Sequence, residues 1–418
     1  MERPRRKLHI RRWMAAFALA VLLVLPSGDR LHITPALDVS SEHAFSLVQW
    51  HITNFFGKWA HLLREAIPGQ RPTREERIAI VDEYLQTSRL AEKEERLIEG
   101  RIARAGGANS AKGAVISREY LDELLGLQRG LRPKAEEAVE SELSAVLHGQ
   151  GFGLWGDALF PPVDIRFGQL PTIIVTSRRD KIARVERRLL RPELEYIERG
   201  RLEDELFEKH DLSAIVGNLA GLSTYPTLVT DTDSLRSVLR TAAHEWLHVY
   251  WFFRPFGQTF WLSEEMATLN ETAADIAGRE LGDATFARMG GDLAENARRY
   301  LPQEERDPRF TRMMRETRQR AEELLAEGKV HEAEEYMKER WWQMRLGGYG
   351  LRKLNQAYFA MHGIYGESVT SVSPIGDEVA EFRTYFASTG EFIRALNGVS
   401  TYGEFLRRLG ERREERRK

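Results

Sequence analysis

The chain has 418 residues, enough for two or three domains of ordinary size. Its 42% hydrophobic content can fill a sizeable core, and a net charge of -2 offers no electrostatic case for nucleic acid as a partner. It has no cysteine, which excludes disulfides, thiolate metal sites, iron–sulfur clusters and a cysteine nucleophile.

Six basic residues (Arg3, Arg5, Arg6, Lys7, Arg11, Arg12) precede an uncharged apolar run from Trp13 to Pro26. This is the form of a secretory signal or signal anchor. As a helix the run is roughly 21 Å long, shorter than a ~30 Å hydrocarbon core. Snorkelling of Arg11 and Arg12 and an interfacial Trp13 make up part of the gap. Leu25-Pro26-Ser27-Gly28 is a poor cleavage site, because proline and leucine occupy the likely −3 places. The expectation is therefore an uncleaved anchor over residues 1–30, giving a single-pass membrane protein. Its N-terminus would be cytoplasmic and the rest extracytoplasmic, or secreted if the segment were cleaved.

An aromatic amphipathic stretch, Phe45 to Leu63, follows and is read as packing on the body of the protein. Pro68 to Pro72 breaks the chain. Thr73 and Glu76 have the spacing of a capping box at the start of a charged helix, about Arg74 to Ala105. Gly106 to Ser110 is a loop, and a second helix, about Ser117 to Leu147, is expected to split near Arg132-Pro133. Residues 31–155 thus form a helical region.

Near residue 160 the periodicity changes. Val163 to Phe167 and Thr172 to Ser177 are rich in β-branched residues and read as strands. A third strand set, about Ala214 to Leu228, contains Gly217, Gly221 and Pro226, which suggests a sheet edge. From Asp233 onward the chain reads as helical. Arg309 to Gly347 forms two charged helices with a turn at 326–329, and the segment from Gly410 to Lys418 reads as a frayed tail.

The chemistry lies in His244-Glu245-Trp246-Leu247-His248, within a helix expected from an N-cap at Asp233 to just before Pro255. Histidines four apart share one helical face, so both imidazoles can reach one zinc ion at about 2.0–2.1 Å. Glu245 then projects beside the metal, placed to act as a general base. A second helix, about Ser263 to Leu281, carries Glu271, 23 positions beyond His248, with Asp275 one turn further on. Glu271 is the leading candidate for third ligand, with Asp275 hydrogen-bonding a ligating histidine. Asp275 itself, Glu264 and Glu265 are the rival ligands.

His244, Glu245 and His248, followed by Asn270, Glu271 and Asp275, resemble the HExxH…NExxxD pattern of gluzincins, the thermolysin-like metallopeptidases. The resemblance covers only the stretch around these motifs. It implies one Zn2+ held by His244, His248 and Glu271, Glu245 as catalytic base, Asp275 supporting a ligand, and a peptide or protein as substrate. Gluzincins also place a Tyr or His to stabilise the oxyanion; Tyr349, Tyr358, His362 and Tyr365 are candidates, with Tyr365 preferred. The edge from Gly217 to Val229 lacks the glutamate motif by which aminopeptidases of this group hold a free N-terminus, which favours endopeptidase action. The expected fold is α+β, mostly helical, with a small mixed or antiparallel sheet beside a zincin active-site helix pair. A catalytic core over 156–305 would be followed by a C-terminal helical region over 306–418. The alternative is a membrane-anchored, non-catalytic scaffold with a vestigial metal site.

Overall fold

Local chemistry starts most of the helices in this computed structural model, which describes residues 34–51, 53, 73–104, 112–153, 159–231, 234–299, 307–366 and 368–418. Helix α1 (Pro35–Ser40) is capped by Thr34. At α2 (Arg74–Arg104) the capping box forms: the Thr73 N–H donates to Glu76 at 2.7 Å, and the Glu76 N–H donates to the Thr73 hydroxyl at 3.2 Å. Helix α3 (Lys112–Gly149) runs on through Pro133, where a split was expected. The carbonyl that loses its donor belongs to exposed Arg129, where solvent can take the donor's place.

Two small three-stranded sheets follow. Strands β2 (Thr172–Arg178), β3 (Arg184–Leu190) and β4 (Leu212–Asn218) form an antiparallel sheet in the order β3-β2-β4. Strands β1 (Ile165–Phe167), β5 (Gly221–Leu222) and β6 (Thr227–Val229) form a mixed sheet in the order β1-β6-β5. Strand β3 and helix α4 (Tyr196–His210) are additions to the sequence reading.

Side chains close most of the sheet edges. Buried Glu140 and Glu136 on α3 accept from the N–H groups of Ile165 and Phe167 at 2.6 and 2.9 Å, as a neighbouring strand would. On β4, Glu203 accepts from Val216 N at 2.7 Å, and Arg352 donates to Val216 O at 2.9 Å. On β3, Phe45 donates its N–H to Leu189 O at 3.1 Å. Strand β5 is the outer strand of its sheet and faces the site described below.

The site helices are α5 (Leu235–Phe252) and α7 (Glu264–Arg288), joined through the short α6 (Pro255–Gln258). Asp233 lies outside the described residues; Ser234 caps α5 by accepting from Ser237 N, and Ser263 caps α7. Helix α5 buries Val238, Leu239, Ala242, Ala243, Trp246, Leu247, Tyr250 and Trp251, leaving His244, Glu245 and His248 half-buried on its other face. Its partner α7 meets it through glycine: a Cβ at Gly282 would stand 2.5 Å from Arg240 Cα, and one at Gly278 would stand 3.0 Å from His244 Cα.

The chain continues through α8 (Leu293–Arg299), α9 (Pro308–Ala326), α10 (Val330–Leu346), α11 (Gln356–His362), α12 (Ile375–Arg383), α13 (Thr389–Leu396) and α14 (Tyr402–Arg417). Helices α9 and α10 are the expected charged pair. The expected frayed tail is instead the end of α14, held by buried Leu409 and by Arg413, which donates two hydrogen bonds to Glu381 at 2.8 and 2.6 Å. One hydrophobic core runs from Val81 on α2 through α3, α5 and α7 to Leu409 on α14. The fold is α+β and mostly helical.

The single-pass membrane expectation is corrected. No helix among the described residues is long and apolar enough to cross a membrane. The segment expected to do so, 1–30, lies outside the described residues, and its apolar run falls short of the hydrocarbon thickness. Residues 54–72 and 105–111, which hold the end of the aromatic stretch, the proline break and the glycine loop, also lie outside them.

Asp283 ties the site helices together. It accepts paired hydrogen bonds from Arg236, both at 2.7 Å, and from Arg240 at 2.6 and 2.8 Å. Burial raises its pKa, but the two guanidiniums outweigh burial and hold it at about 2. A carboxylate depressed from ~3.9 stabilises the fold above that value and ceases to do so as pH falls through about 2. Asp283→Asn is therefore expected to lower the unfolding free energy by about 2 kcal/mol at pH 7. In urea titrations the penalty should shrink between pH 4 and pH 2; a constant penalty would assign the effect to packing instead.

Candidate metal centre

Helix periodicity places His244 and His248 one above the other on α5, and α7 returns alongside to bring up Glu271. Their ligand atoms all lie within 4.8 Å of one another. The two Nε2 atoms are 3.0 Å apart, and each is 3.4 Å from Glu271 Oε2. Atoms bound at 2.0–2.1 Å to a tetrahedral ion stand ~3.3 Å apart, so the spacings suit a zinc-sized cation.

The outer ring nitrogens fix which atoms face inward. His244 Nδ1 lies 3.1 Å from Asp275 Oδ1, and His248 Nδ1 lies 3.0 Å from Asn270 Oδ1. The Asn270 amide nitrogen donates to Phe256 O at 3.3 Å, which turns its oxygen toward the imidazole. Both oxygens accept, so both Nδ1 atoms donate, and in the neutral tautomers both Nε2 atoms present lone pairs to the centre. Glu271 Oε2 is buried and makes no hydrogen bond. Three electron pairs thus converge without a donor among them, and a cation satisfies all three.

Burial disfavours a charged His244, but Asp275 and Glu271 outweigh it and raise its pKa well above the ordinary value. Burial likewise opposes the charge on Glu271, while His248 and His244 hold its carboxyl below the usual range.

The centre opens into a cleft of about 1090 Å³. Glu245 borders it; the Ser223 hydroxyl donates to Glu245 Oε2. Strand β5 passes beside this carboxylate, and a Cβ at Gly221 would stand 2.6 Å from Glu245 Oε1. Tyr365 reaches the cleft after α11, with its pKa raised well above the ordinary phenol value by Glu271, by burial, and by Asp275 and Glu245. Phe160, Phe252, Phe253 and Trp261 form an exposed aromatic wall. Arg187 on β3 completes the lining, its guanidinium 4.1 Å from the Trp261 ring centroid.

The structure therefore gathers His244, Glu245, His248, Glu271, Asp275 and Tyr365. It leaves the other candidates elsewhere. Glu264 and Glu265 are exposed in the first turn of α7. Tyr349 donates to Asp307, and Tyr358 packs against His362, their ring centroids 4.4 Å apart. Sequence reasoning missed Ser223 and Arg187 and gave no contact to Asn270. Ser223 lay within the recognised edge segment, whereas nothing in the pattern of β3 singles out Arg187.

No family model matches the chain, and neither the curated proteins nor the solved structures include a match. The gluzincin resemblance rests on the two motifs.

Glu271→Ala leaves two histidines and should abolish stoichiometric zinc uptake by purified protein. Asp275→Asn and Asn270→Ala remove only the support behind a ligand and should weaken zinc affinity by about 10–100-fold. Metal retained in Glu271→Ala but lost in Asp275→Ala would reassign the third ligand to Asp275.

Proposed function

We propose that this protein is a zinc-dependent peptidase of the gluzincin type that hydrolyses peptide bonds, with endopeptidase action favoured. The observation that carries the proposal is the convergence of His244 Nε2, His248 Nε2 and the unpartnered Glu271 Oε2 beside a further carboxylate, Glu245, in an open cleft. His244, His248 and Glu271 would hold one zinc ion. When bound there, zinc supplies Lewis acidity toward the scissile carbonyl and the attacking water.

The remaining work falls to the chain's own groups. Glu245 leaves α5 one residue after His244, so it borders the cleft without joining the ligand cluster. It takes a proton from the attacking water and delivers it to the leaving amine. Ser223 orients this carboxylate through its hydrogen bond to Oε2, and Gly221 makes room for it. Tyr365 stays protonated at neutral pH, because the surrounding carboxylates oppose its ionisation, and so can donate to the developing oxyanion. The outer position of β5 supports an extended peptide adding to the sheet edge beside Glu245.

Glu245→Gln keeps the size of the side chain and removes its basicity. It should retain zinc while losing at least ~10²-fold in activity on a peptide library, the low end for a general base. Near-wild-type turnover would place the base elsewhere, and zinc-replete protein without bound metal would remove the basis of the proposal. Gly221→Ala pushes against Glu245 and Thr241 Cγ2, the latter 2.7 Å from the new Cβ. It should leave zinc content unchanged and lower kcat/KM by about 10–100-fold, the scale of a misplaced catalytic group.

A further inference from the structure

We propose that Arg187 makes the cleft selective for substrates bearing a carboxylate, which its guanidinium receives beside the metal centre. This rests on the peptidase reading and adds a substrate class to it.

Several half-buried arginines are paired with carboxylates. Arg236 and Arg240 share Asp283, Arg179 holds Glu334, Arg352 holds Glu203, and Arg383 holds Glu280. Arg187, an exposed residue of β3, is not paired in this way. Among the described residues it makes no ion pair and no side-chain hydrogen bond, although it lines a cleft that also holds Glu245 and Glu271. Its two basic neighbours on β3, Arg184 and Arg188, likewise have no acidic partner among the described residues. Arg188 borders the same cleft, and its Nε is buried without a hydrogen bond.

Trp261 fixes the geometry. With Cζ over the indole, the guanidinium is supported through one face by a contact that consumes none of its N–H donors. The in-plane donors remain available, and their planar fork suits the two oxygens of a carboxylate. Glu271 does not neutralise this wall, because its Oε2 lies 3.4 Å from both His244 and His248 and makes no pair with Arg187. The β3 wall of the cleft therefore presents uncompensated positive charge next to aromatic surface, which fits a peptide carrying a carboxylate among apolar residues. The carboxylate can belong to an aspartate or glutamate side chain, or to a free C-terminus.

Two N-acetylated random hexapeptide libraries separate these sources, one with free and one with amidated C-termini. Each is captured on immobilised metal-free wild-type protein and on zinc-replete Glu245→Gln protein, and the bound peptides are read by mass spectrometry. Wild type should enrich carboxylate-bearing peptides about 10-fold or more, the scale of one charge-assisted hydrogen-bonded contact. Enrichment of acidic residues in the amidated library identifies a side chain; enrichment confined to the free-acid library identifies a C-terminus. Arg187→Met keeps an apolar stem over Trp261 and should abolish the preference, while Arg187→Lys should keep part of it; unchanged zinc content checks both folds. No carboxylate enrichment by wild type, or enrichment persisting in Arg187→Met, overturns the proposal. Because the metal-free arm reads binding alone, failure of zinc uptake or hydrolysis would count against the peptidase reading without touching this one.

Discussion

Helices α5 and α7 touch at their backbones, and the grouping of His244, His248 and Glu271 depends on that contact. Gly278 and Gly282 lie one turn apart on α7, against His244 and Arg240 of α5. Even a methyl group at Gly282 would press on the facing main chain. Because the ligands are split between two helices, their mutual spacing can be no tighter than the helix spacing allows. The Asp283 clamp sits one residue beyond Gly282, so apolar packing and an ion-pair network fix the same turn. Trp246, Leu247, Tyr250 and Trp251 back α5 from the opposite side.

Electrostatics works in the other direction. Burying Glu271 removes water that would otherwise solvate its carboxylate, a cost that the facing His248 and His244 offset. The helix pair holds this arrangement in place. Were a cation held there, its affinity and the stability of the fold would be linked, since an ion that binds only the native site stabilises that state.

The pattern of residues revealed the helix pair because its chemistry is local. HExxH is one helical turn, Glu271 and Asp275 are another, and each spacing has a geometric meaning without knowledge of the rest. The capping box at Thr73 and the α9–α10 turn were legible for the same reason. Strand β3, with the sequence RVERRLL, was not: its arginines suit an edge strand whose side chains run along a cleft and over a tryptophan, a context that no local pattern contains. Pro133 suggested a broken helix because the rule concerns the lost hydrogen bond, and the carbonyl left without a donor belongs to exposed Arg129, where water can replace it. The tail seemed free because Glu381, its anchor, is 32 positions away. The membrane reading rested on residues 1–30, which lie outside the described residues, and no described helix is long and apolar enough to cross a membrane.

The core has a consequence for how the protein can be divided. Val81 and Leu85 on α2, Leu143 on α3, and Phe382, Phe405 and Leu409 near the C-terminus share one buried cluster with Ala243, Leu247 and Ala277 of the site helices. A fragment trimmed to the motif-bearing stretch would turn the backs of both site helices toward water. No compact fragment around the two motifs keeps this cluster whole: the α2–α3 pair and the C-terminal helices are walls of the same room, and moving the site helices into another protein means carrying those walls with them.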